Sequence, residues 1–468
     1  MIGPKNWIAD KLKAEFGDAY GAALWADQQE IISLYDYYDG RGQDWPTPNN
    51  LDYAPTKIIA NKTKHLIKEE ARFMFSRPPE ISIIPAQDSS DDNVAQCAEM
   101  EQWLRQLLED CGWPSRLSKA GRDIFVGKRL AVKLIGGGGK PLGVRLLPSL
   151  EFAFDLDCET GRITKILYYY HKTHDTDPKR QRTWVQRYWL EGGACWMEQG
   201  VYDGYGVLQQ DEELIPPTLT GLDFIPSAVI LNDGLTGEIT GESDVAVLRD
   251  LADAYNRRLS DDQDALKFNM FPQRVFRDVE PKCLENIKVS PGSLLDIQSS
   301  VTGEHQATAE ILESGFGYDG RYEHSVDRLD KIMHEQLAIP MTTIDQLKSL
   351  GISGKALKML YNPLIARCEE KWQAWDEAIR WMVRSLARLS KASGGPDYTG
   401  LDYTVAIDHL WPIPNDDDAE REQDRLDVAA QTMSRKAYID KWRPTADAEE
   451  ELRQMALERQ QLEESSYQ

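Results

Sequence analysis

The chain has 468 residues, too many for one hydrophobic core of ordinary size, so two to four structural regions are expected. Its hydrophobic content of 41% is low, but 13 Trp and 19 Tyr supply enough aromatic area to exclude a globally disordered chain. A formal charge of −23 argues against a protein that grips nucleic acid over a broad basic surface, although it is compatible with one past which DNA slides.

The six cysteines are scattered and show no zinc-binding spacing, which predicts buried, reduced thiols in an intracellular protein. The N-terminus is charged and amphipathic, so it is not expected to be a signal peptide. No apolar segment approaches the ~20 residues needed to cross a bilayer. A soluble protein is therefore expected.

The N-terminal third begins with helical patterns. Amphipathic helices are predicted over about residues 7–38 and 56–75, the second closed by Pro78-Pro79 before a short strand. Ser90 to Asp92 carry the start signal of a further helix, whose apolar stripe runs through Met100, Leu104, Leu107 and Leu108.

From about residue 129 the sequence alternates between apolar and polar residues. Turn signals lie at Gly136 to Gly139 and at Glu159 to Gly161. This pattern is typical of an antiparallel meander, in which the segment Gly136 to Lys140 is a flexible hairpin turn.

Two helical rods are predicted in the second half, with a short mixed insert between them. The first begins at Gly241 and carries an apolar stripe interrupted by the polar run Asp261 to Asp264. The second lies within residues 318–340 and is stopped by Pro340. Two rods around an insert predict a helical hairpin with a tip.

The longest predicted helix follows the glycine-punctuated loop before Lys355. Its face repeats every 3.6 residues from Leu357 to Leu389, Pro363 should kink it, and Gly394-Gly395 end it. A strand and an acidic, helical tail come after it.

The sequence contains only weak evidence for an enzymatic site. The loop from Gly351 to Lys355 lacks the four-residue glycine spacing, the hydroxyl after the lysine and the preceding strand that a phosphate-binding loop requires. His334-Glu335 lacks a second histidine at zinc-protease spacing. Asp155 and Asp157 have the spacing of a paired-carboxylate metal site, but Asp is common before a turn. His171 and His174 are best explained as a solvated loop.

The order of these elements resembles the portal proteins of tailed bacteriophages, over roughly residues 35–444. The resemblance rests on five segments taken together: "YYDG" at Tyr37 to Gly40, typical of one subfamily, "NKTKHLIKEEARFMFSRPPEIS", "FDLDCETGRITKILYYY", "DLADAYNRRLSDDQDALKFNMFP" and "LGISGKALKMLYNPLIARCEEKWQAWDEAI". None of them is specific alone.

The resemblance implies an α+β portal fold, assembled as a ring of about twelve subunits around a central channel. The implied parts are a wing with an antiparallel meander (1–241), a first stem helix (242–272), a small α/β clip (273–317), a second stem helix (318–340), a tunnel loop (341–353), a kinked long helix of the wing with the following strand (354–414), and a helical crown (415–468).

The same resemblance implies roles for individual residues. The tunnel-loop residues expected to meet DNA are Thr342, Thr343, Gln346, Lys348, Ser349, Ser353 and Lys355. The hinge residues are Gly351, Gly354 and Pro363, with Ser353 able to cap the next helix. The clip residues expected to contact a terminase or adaptor are Arg274, Arg277, Lys282 and Lys288.

The implied function is a non-enzymatic portal, assembled in the host cytoplasm and carried in the virion at one capsid vertex. The genome is packaged through it by the terminase and later ejected. The implied partners are further copies of the chain, the terminase large subunit, the major capsid and scaffolding proteins, a head-completion or adaptor protein, and double-stranded DNA bound without sequence specificity. No cofactor, metal or membrane is implied.

Two alternatives remain open from the sequence. One is another head-tail adaptor ring, which never meets the packaging motor. The other is a metal-dependent DNA-processing enzyme that uses Asp155 and Asp157.

Overall fold

The structure is a computed structural model, and it describes residues 5–46, 53–87, 89–137, 140–173, 175–210, 213–270, 273–277, 279, 299, 307–312, 319–341, 354–413, 417–442 and 452–454. Two compact units can be distinguished. The first comprises Met1–Met341 and Leu364–Trp411, and the second comprises Thr342–Pro363 and Pro412–Gln468.

The first predicted helix is in fact two helices. α1 spans Asn6–Phe16 and α2 spans Asp18–Tyr38, because Gly17 takes a positive φ of 88° that ends the first helix. A Cβ on Gly21 would lie 2.6 Å from backbone atoms of Leu12, so glycine allows the two helices to cross closely.

The second predicted helix begins six residues later than expected. α3 spans Lys62–Phe75, and Asn61 at its N-terminus has a φ of 41° and accepts a hydrogen bond from the backbone N–H of Lys64. Residues 54–61 have no regular secondary structure. The prediction of a helix from Thr56 is wrong, and the reason is a tertiary contact described below.

Two further helices follow α3 in sequence, and the second of them packs beside it. α4 spans Asp91–Asp110, and Ser90 accepts from the N–H of Asn93 as its sequence signal predicts. α5, Trp113–Gly127, was not anticipated. The Gly112 and Pro114 that flank its start look like a turn in sequence, although proline is tolerated in the first turn of a helix.

The predicted meander is confirmed as antiparallel, but it is divided between two sheets. A three-stranded sheet has the order β10-β2-β3 and consists of β2 (Arg129–Gly137), β3 (Lys140–Pro148) and β10 (Ser227–Leu231). A six-stranded sheet consists of β4 (Phe152–Leu156), β5 (Ile163–Thr173), β6 (Arg182–Glu191), β7 (Ala194–Tyr202), β8 (Leu208–Gln209) and β9 (Ile215–Leu219), in which β8 and β9 both pair with β7.

Two apolar cores surround the larger sheet. On one face, Phe152, Ile166, Tyr168 and Tyr188 pack with Ala131 and Leu147 of the smaller sheet. On the other face, Leu167, Tyr169 and Val185 pack against Ile8, Leu12 and Leu24 of α1 and α2. Alternate residues of the larger sheet are therefore buried on both of its faces, each face in its own core, rather than one face in a core and the other in solvent.

The predicted hairpin of rods is present. α6 spans Asp244–Met270 and α7 spans Asp319–Gln336, and between them β11 (Gln273–Arg277) pairs antiparallel with β12 (Thr308–Leu312). Tyr322 on α7 donates to the carbonyl of Arg258 on α6 at 3.0 Å. We call α6, β11, β12 and α7 the helical hairpin.

α7 ends before the proline that was expected to stop it. Ala338 has a φ of 55°, the N–H of Ile339 bonds to the carbonyl of His334, and the N–H of Ala338 bonds to that of Glu335. This pair of bonds is the Schellman arrangement, which closes a helix through its backbone and needs no proline.

The long helix, α8, spans Gly354–Ala392 and contains Pro363. Its predicted apolar face is confirmed, since Leu364, Cys368, Trp372, Trp375, Ile379, Met382, Leu386 and Leu389 are all buried. Phe75 of α3 packs against the rings of Trp372 and Trp375, with centroids 5.2 and 4.9 Å away. After the helix, β13 (Tyr403–Asp408) pairs with β1 (Glu80–Pro85).

The second unit includes two C-terminal helices, α9 (Asp417–Ala429) and α10 (Arg435–Trp442). Asp424 joins them, because it pairs with Lys441 at 2.7 Å and accepts from the indole of Trp442 at 2.8 Å. The acidic helical tail is confirmed this far. Most of residues 443–468 lie outside the described part.

Within the described residues, no helix is long and apolar enough to cross a membrane. Cys97, Cys111, Cys158, Cys195 and Cys368 are free thiols.

Candidate functional site at the helical hairpin

A cluster of buried charges fixes the start of the helical hairpin. Asp244, in the first turn of α6, accepts from Arg367 and from Lys371, each at 2.6 Å. Both cations also meet Glu70 of α3 at 2.9 Å. We call Glu70, Asp244, Arg367 and Lys371 the base cluster; it joins α3, α6 and α8 within the first unit.

The base cluster is largely buried, and its two carboxylates balance its two cations. Glu70, Asp244 and Lys371 are at most 5% exposed, and the carboxylate of Asp233 adds a third negative charge 3.8 Å from Arg367. One oxygen of Glu70, Oε2, has no hydrogen-bond partner among the described residues. Burial of these charges costs free energy, and the ion pairs offset that cost only while every partner is present.

Burial and pairing act in opposite directions on these groups. Burial raises the pKa of Glu70, and Lys371 and Arg367 offset it only in part. Burial by itself would lower the pKa of Lys371, but Asp244 and Glu70 outweigh it and the pKa is raised. Both cations thus stay charged, while burial favours the protonated form of Glu70.

A second polar contact runs along the far half of α6. The backbone N–H groups of Thr56, Ile58 and Ala60 donate to side chains of Asp264, Ser260 and Asn256, at 3.0, 2.9 and 3.0 Å. We call residues 56–60 the strap. Four residues of extended chain rise about 13 Å, and eight residues of helix rise about 12 Å, so the two spacings match.

The strap explains two features of the sequence. The three acceptor side chains of α6 are at most 7% exposed, so Asp264, the last residue of the predicted polar run, is buried under the strap, whereas Asp261 and Gln263 of that run are exposed. Conversely, residues 56–60 stay out of α3 because α6 supplies their N–H groups with partners. This tertiary contact overrides the helical pattern of the segment.

The motif at Tyr37 to Gly40 lies against the same helix. The hydroxyl oxygen of Tyr37 lies 2.8 Å from the carboxylate of Asp253 and 2.9 Å from the carbonyl of Arg249, and its one proton is shared between these two acceptors. Gly40 has a φ of 81°, in the turn that ends α2. These contacts give the motif a structural role, while the subfamily that it suggested stays a prediction.

The C-terminal end of α7 is also held in place. Lys62 of α3 pairs with Asp330 at 2.9 Å, and Nδ1 of His334 lies 3.3 Å from the carbonyl of Ile339. Burial lowers the pKa of His334, and Asp330 counters it only in part. His334, which has no second histidine at zinc-binding spacing, is a neutral ring. Its Nδ1–H donates to the carbonyl of Ile339, just beyond the end of α7.

Most of the predicted site residues lie outside the described part of the chain. These are the tunnel-loop residues Thr342, Thr343, Gln346, Lys348, Ser349 and Ser353, the hinge residue Gly351, and the clip residues Lys282 and Lys288. Gly354 and Lys355 begin α8. Arg274 and Arg277 lie on β11, where Arg277 is exposed and pairs with Glu310 at 3.5 Å.

The alternative carboxylate site is used for local structure. Asp157 accepts from the N–H groups of Glu159 and Thr160 and from the Thr160 hydroxyl, and these bonds lower its pKa. Asp155 accepts from the N–H of Leu156. No group of three metal-ligating side chains occurs among the described residues. His171 contacts the hydroxyl of Thr183, and His174 lies outside the described part.

The sequence interpretation missed the base cluster and the strap. Arg367 and Lys371 stand one turn apart, each next to a buried position of the α8 face, and Asp244 opens a helix. These signals indicate charges at the edge of a core. That they meet Glu70 depends on the packing of three helices distant in sequence.

A family model described as "Phage portal protein, SPP1 Gp6-like" matches residues 19–465. No curated protein matches significantly. A solved structure described as "Neck of empty GTA particle computed with C6 symmetry" is similar over 79% of this chain and 84% of that chain, with 11% sequence identity and a TM-score of 0.42.

Proposed function

The chain belongs to the family of phage portal proteins, and we propose that it assembles as a ring of about twelve copies whose axial channel conducts the genome. The observation that carries the function is the family match, which extends over residues 19–465. A portal protein forms the channel at one vertex of the capsid. The family is one of structural assembly proteins.

We propose that the helical hairpin is the stem and tip of this ring. Residues 242–272 and 318–340 would form the stem, residues 273–317 the clip, and residues 341–353 the tunnel loop. The wing would comprise residues 1–241 and 354–414, and the crown residues 415–468. The antiparallel contact of α6 with α7, and the strand pair β11-β12 between them, support the stem and clip roles.

The charge of the chain suits a channel. Twelve subunits of charge −23 would surround DNA with groups that repel its phosphates, so the duplex can move without strong contacts that must be broken at each step. The tunnel-loop lysines Lys348 and Lys355 would make transient phosphate contacts. Such contacts are independent of sequence.

The clip would carry the partner contacts. Arg277 is exposed, and its ion pair with Glu310 is a surface pair that stabilises the fold little, so both side chains are free to exchange partners. We propose that Arg274, Arg277, Lys282 and Lys288 contact the terminase during packaging and a head-completion protein afterwards. The major capsid and scaffolding proteins would contact the ring during assembly, in the host cytoplasm.

Deletion of residues 342–349 tests the channel role. In the phage that encodes this chain, we expect normal rings and normal procapsids but a large loss of DNA-filled heads, measured by electron microscopy of lysates and by nuclease-protected DNA. A deletion in the exposed turn at residues 235–239 serves as the control, since it spares Asp233 and Thr240. Full packaging by the loop deletion would refute the tunnel-loop role.

A further inference from the structure

The two attachments of α6 differ in kind. At its start, the base cluster is surrounded by buried apolar residues, including Val245 and Leu248, which are fully buried. Along its far half, the strap contributes backbone N–H groups and little else. Ile59 is 42% exposed, and Lys57 and Ala60 are exposed as well. The start of α6 is thus anchored by ion pairs and apolar packing, whereas the strap is attached to the far half of α6 through neutral and charge-assisted hydrogen bonds.

The strap uses only every second residue. Thr56, Ile58 and Ala60 donate to α6, whereas the N–H groups of Lys57 and Ile59 have no acceptor within the described chain. Alternation of this kind is the property of an extended chain. The helix side chains take the place of a neighbouring strand, with one acceptor for each turn of α6.

Further contacts orient acceptor side chains of α6 toward the strap. The hydroxyl of Ser260 donates to the carbonyl of Asn256 at 2.8 Å, so its oxygen is oriented to accept from Ile58. Asp264 also receives the hydroxyl of Thr56 and pairs with Lys267 at 3.3 Å. When the strap leaves, these three buried side chains become accessible to water, which supplies replacement hydrogen bonds. Opening therefore exposes polar groups and little apolar surface, which keeps its free-energy cost low.

We propose that the strap is a releasable latch, which opens and recloses on the far half of α6 while the base cluster and α3 remain folded. Its opening frees the part of α6 that leads into the strand pair β11-β12. In a portal this would let the tip of each hairpin adjust to a partner or to passing DNA, and that use of the latch rests on the proposed function. The latch itself is a local property of the fold.

Hydrogen exchange of the full-length protein, resolved to single amides by fragmentation mass spectrometry, tests the latch. We expect Thr56, Ile58 and Ala60 to be protected and Lys57 and Ile59 to exchange at the rate of an open chain. We also expect the three protected amides to exchange about 100-fold faster than the interior of α3, with little dependence on low concentrations of urea, because their opening is local. Equal rates and equal urea dependence in strap and α3 would overturn the proposal.

A pair of proline variants tests the three hydrogen bonds between the strap and α6 directly. Ile58→Pro removes one inward N–H, whereas Ile59→Pro removes an outward N–H and is the matched control. We expect Thr56 and Ala60 to exchange about five- to tenfold faster in Ile58→Pro and unchanged in Ile59→Pro, since one hydrogen bond is lost in the first variant only. Equal effects of both variants would overturn the proposal; if Ile58→Pro does not fold, the wild-type rates decide. Either result is obtained without reference to DNA or rings, so failure of the latch and failure of the portal function remain distinct.

Discussion

At the scale of single residues, Asp244 is the side chain on which the hairpin depends most. It begins α6, it is 2% exposed, and its two oxygens each accept from a different cation of α8 at 2.6 Å. Glu70 meets the same cations through one oxygen only. The two carboxylates therefore differ in how much each stabilises the buried cations.

Replacement of Asp244 should cost more than replacement of Glu70. We expect Asp244→Asn to lower the free energy of unfolding by about 3 kcal/mol, because it leaves Lys371 buried with one poor partner. Glu70→Gln should cost less, since burial already raises the pKa of Glu70 and the amide oxygen can still accept. Urea denaturation followed by tryptophan fluorescence measures both, with the exposed Asp250→Asn as the control on the same helix. A larger loss for Glu70→Gln would contradict this ranking.

Asp123 should give the protein a pH-dependent stability. Its carboxylate lies beside the buried hydroxyl of Tyr35, at 3.3 Å, and burial raises its pKa to about 6. A carboxyl with a raised pKa favours the folded state below its unfolded pKa near 3.8, and this contribution is lost as the pH rises to about 6.

The test of this pH dependence is the variant Asp123→Asn. Its stability relative to the wild type should increase by about 2 kcal/mol between pH 4 and pH 7, because only the wild type must ionise a buried carboxyl. Thermal unfolding at several pH values measures the difference, and Asp10→Asn, an exposed position on α1, should show none. Parallel curves for wild type and Asp123→Asn would exclude this role.

At the scale of elements, the sequence of α8 contains the boundary between the two compact units. The division between the units falls at Pro363, the residue predicted to act as a kink. Proline at this position removes one backbone hydrogen bond, to the carbonyl of Met359, and its own side chain is exposed. Its retention at a cost in helix stability suggests a mechanical use, which we propose is the hinge of the tunnel loop.

The variant Pro363→Ala distinguishes a functional hinge at Pro363 from a proline that the helix merely tolerates. The variant regains a hydrogen bond and loses little packing, so we expect slower hydrogen exchange around residues 359–366 and a protein at least as stable as the wild type. If the hinge is used, packaging falls despite the added stability. Ala366→Ser, on the same helix and exposed, is the control; unimpaired packaging by Pro363→Ala would rule the hinge out.

How far the sequence predicted these elements depends on the range of the interactions that form them. The α8 face and the cap at Ser90 follow from local periodicity and one side chain, and both are confirmed. One prediction fails because a residue distant in sequence determines the structure, and another because a local backbone closure precedes the expected stop. Residues 56–60 look helical until α6 captures their N–H groups, and α7 closes at Ala338 through its own backbone before Pro340 is reached.

The same distinction applies to the candidate site. Arg367 and Lys371 are visible in sequence as a basic pair beside an apolar face, but Glu70 lies almost 300 residues earlier, and only the packing of three helices brings them together. Asp155 and Asp157 had the spacing of metal ligands, yet Asp155 accepts from the neighbouring N–H of Leu156 and Asp157 from the turn after β4. Local patterns located the charges, and tertiary structure determined their use.

At the scale of the whole molecule, the described chain contains a helical hairpin together with mixed helix and sheet structure. The family assignment makes this chain a portal protein, and the subunit number, the axial position of the hairpin and the partners at its tip are our proposals. Each subunit alone presents α7 with many exposed charged residues, which suits a surface that meets identical neighbours through ion pairs as well as apolar contacts.

The most direct test of this account is electron microscopy of the purified full-length protein, with two-dimensional class averages in negative stain or ice. We predict closed rings of about twelve subunits with an axial channel wide enough for duplex DNA, about 20 Å, and a narrower end built from the helical hairpins. A chain that remains monomeric at every concentration, or that forms closed particles without a channel, would contradict the account.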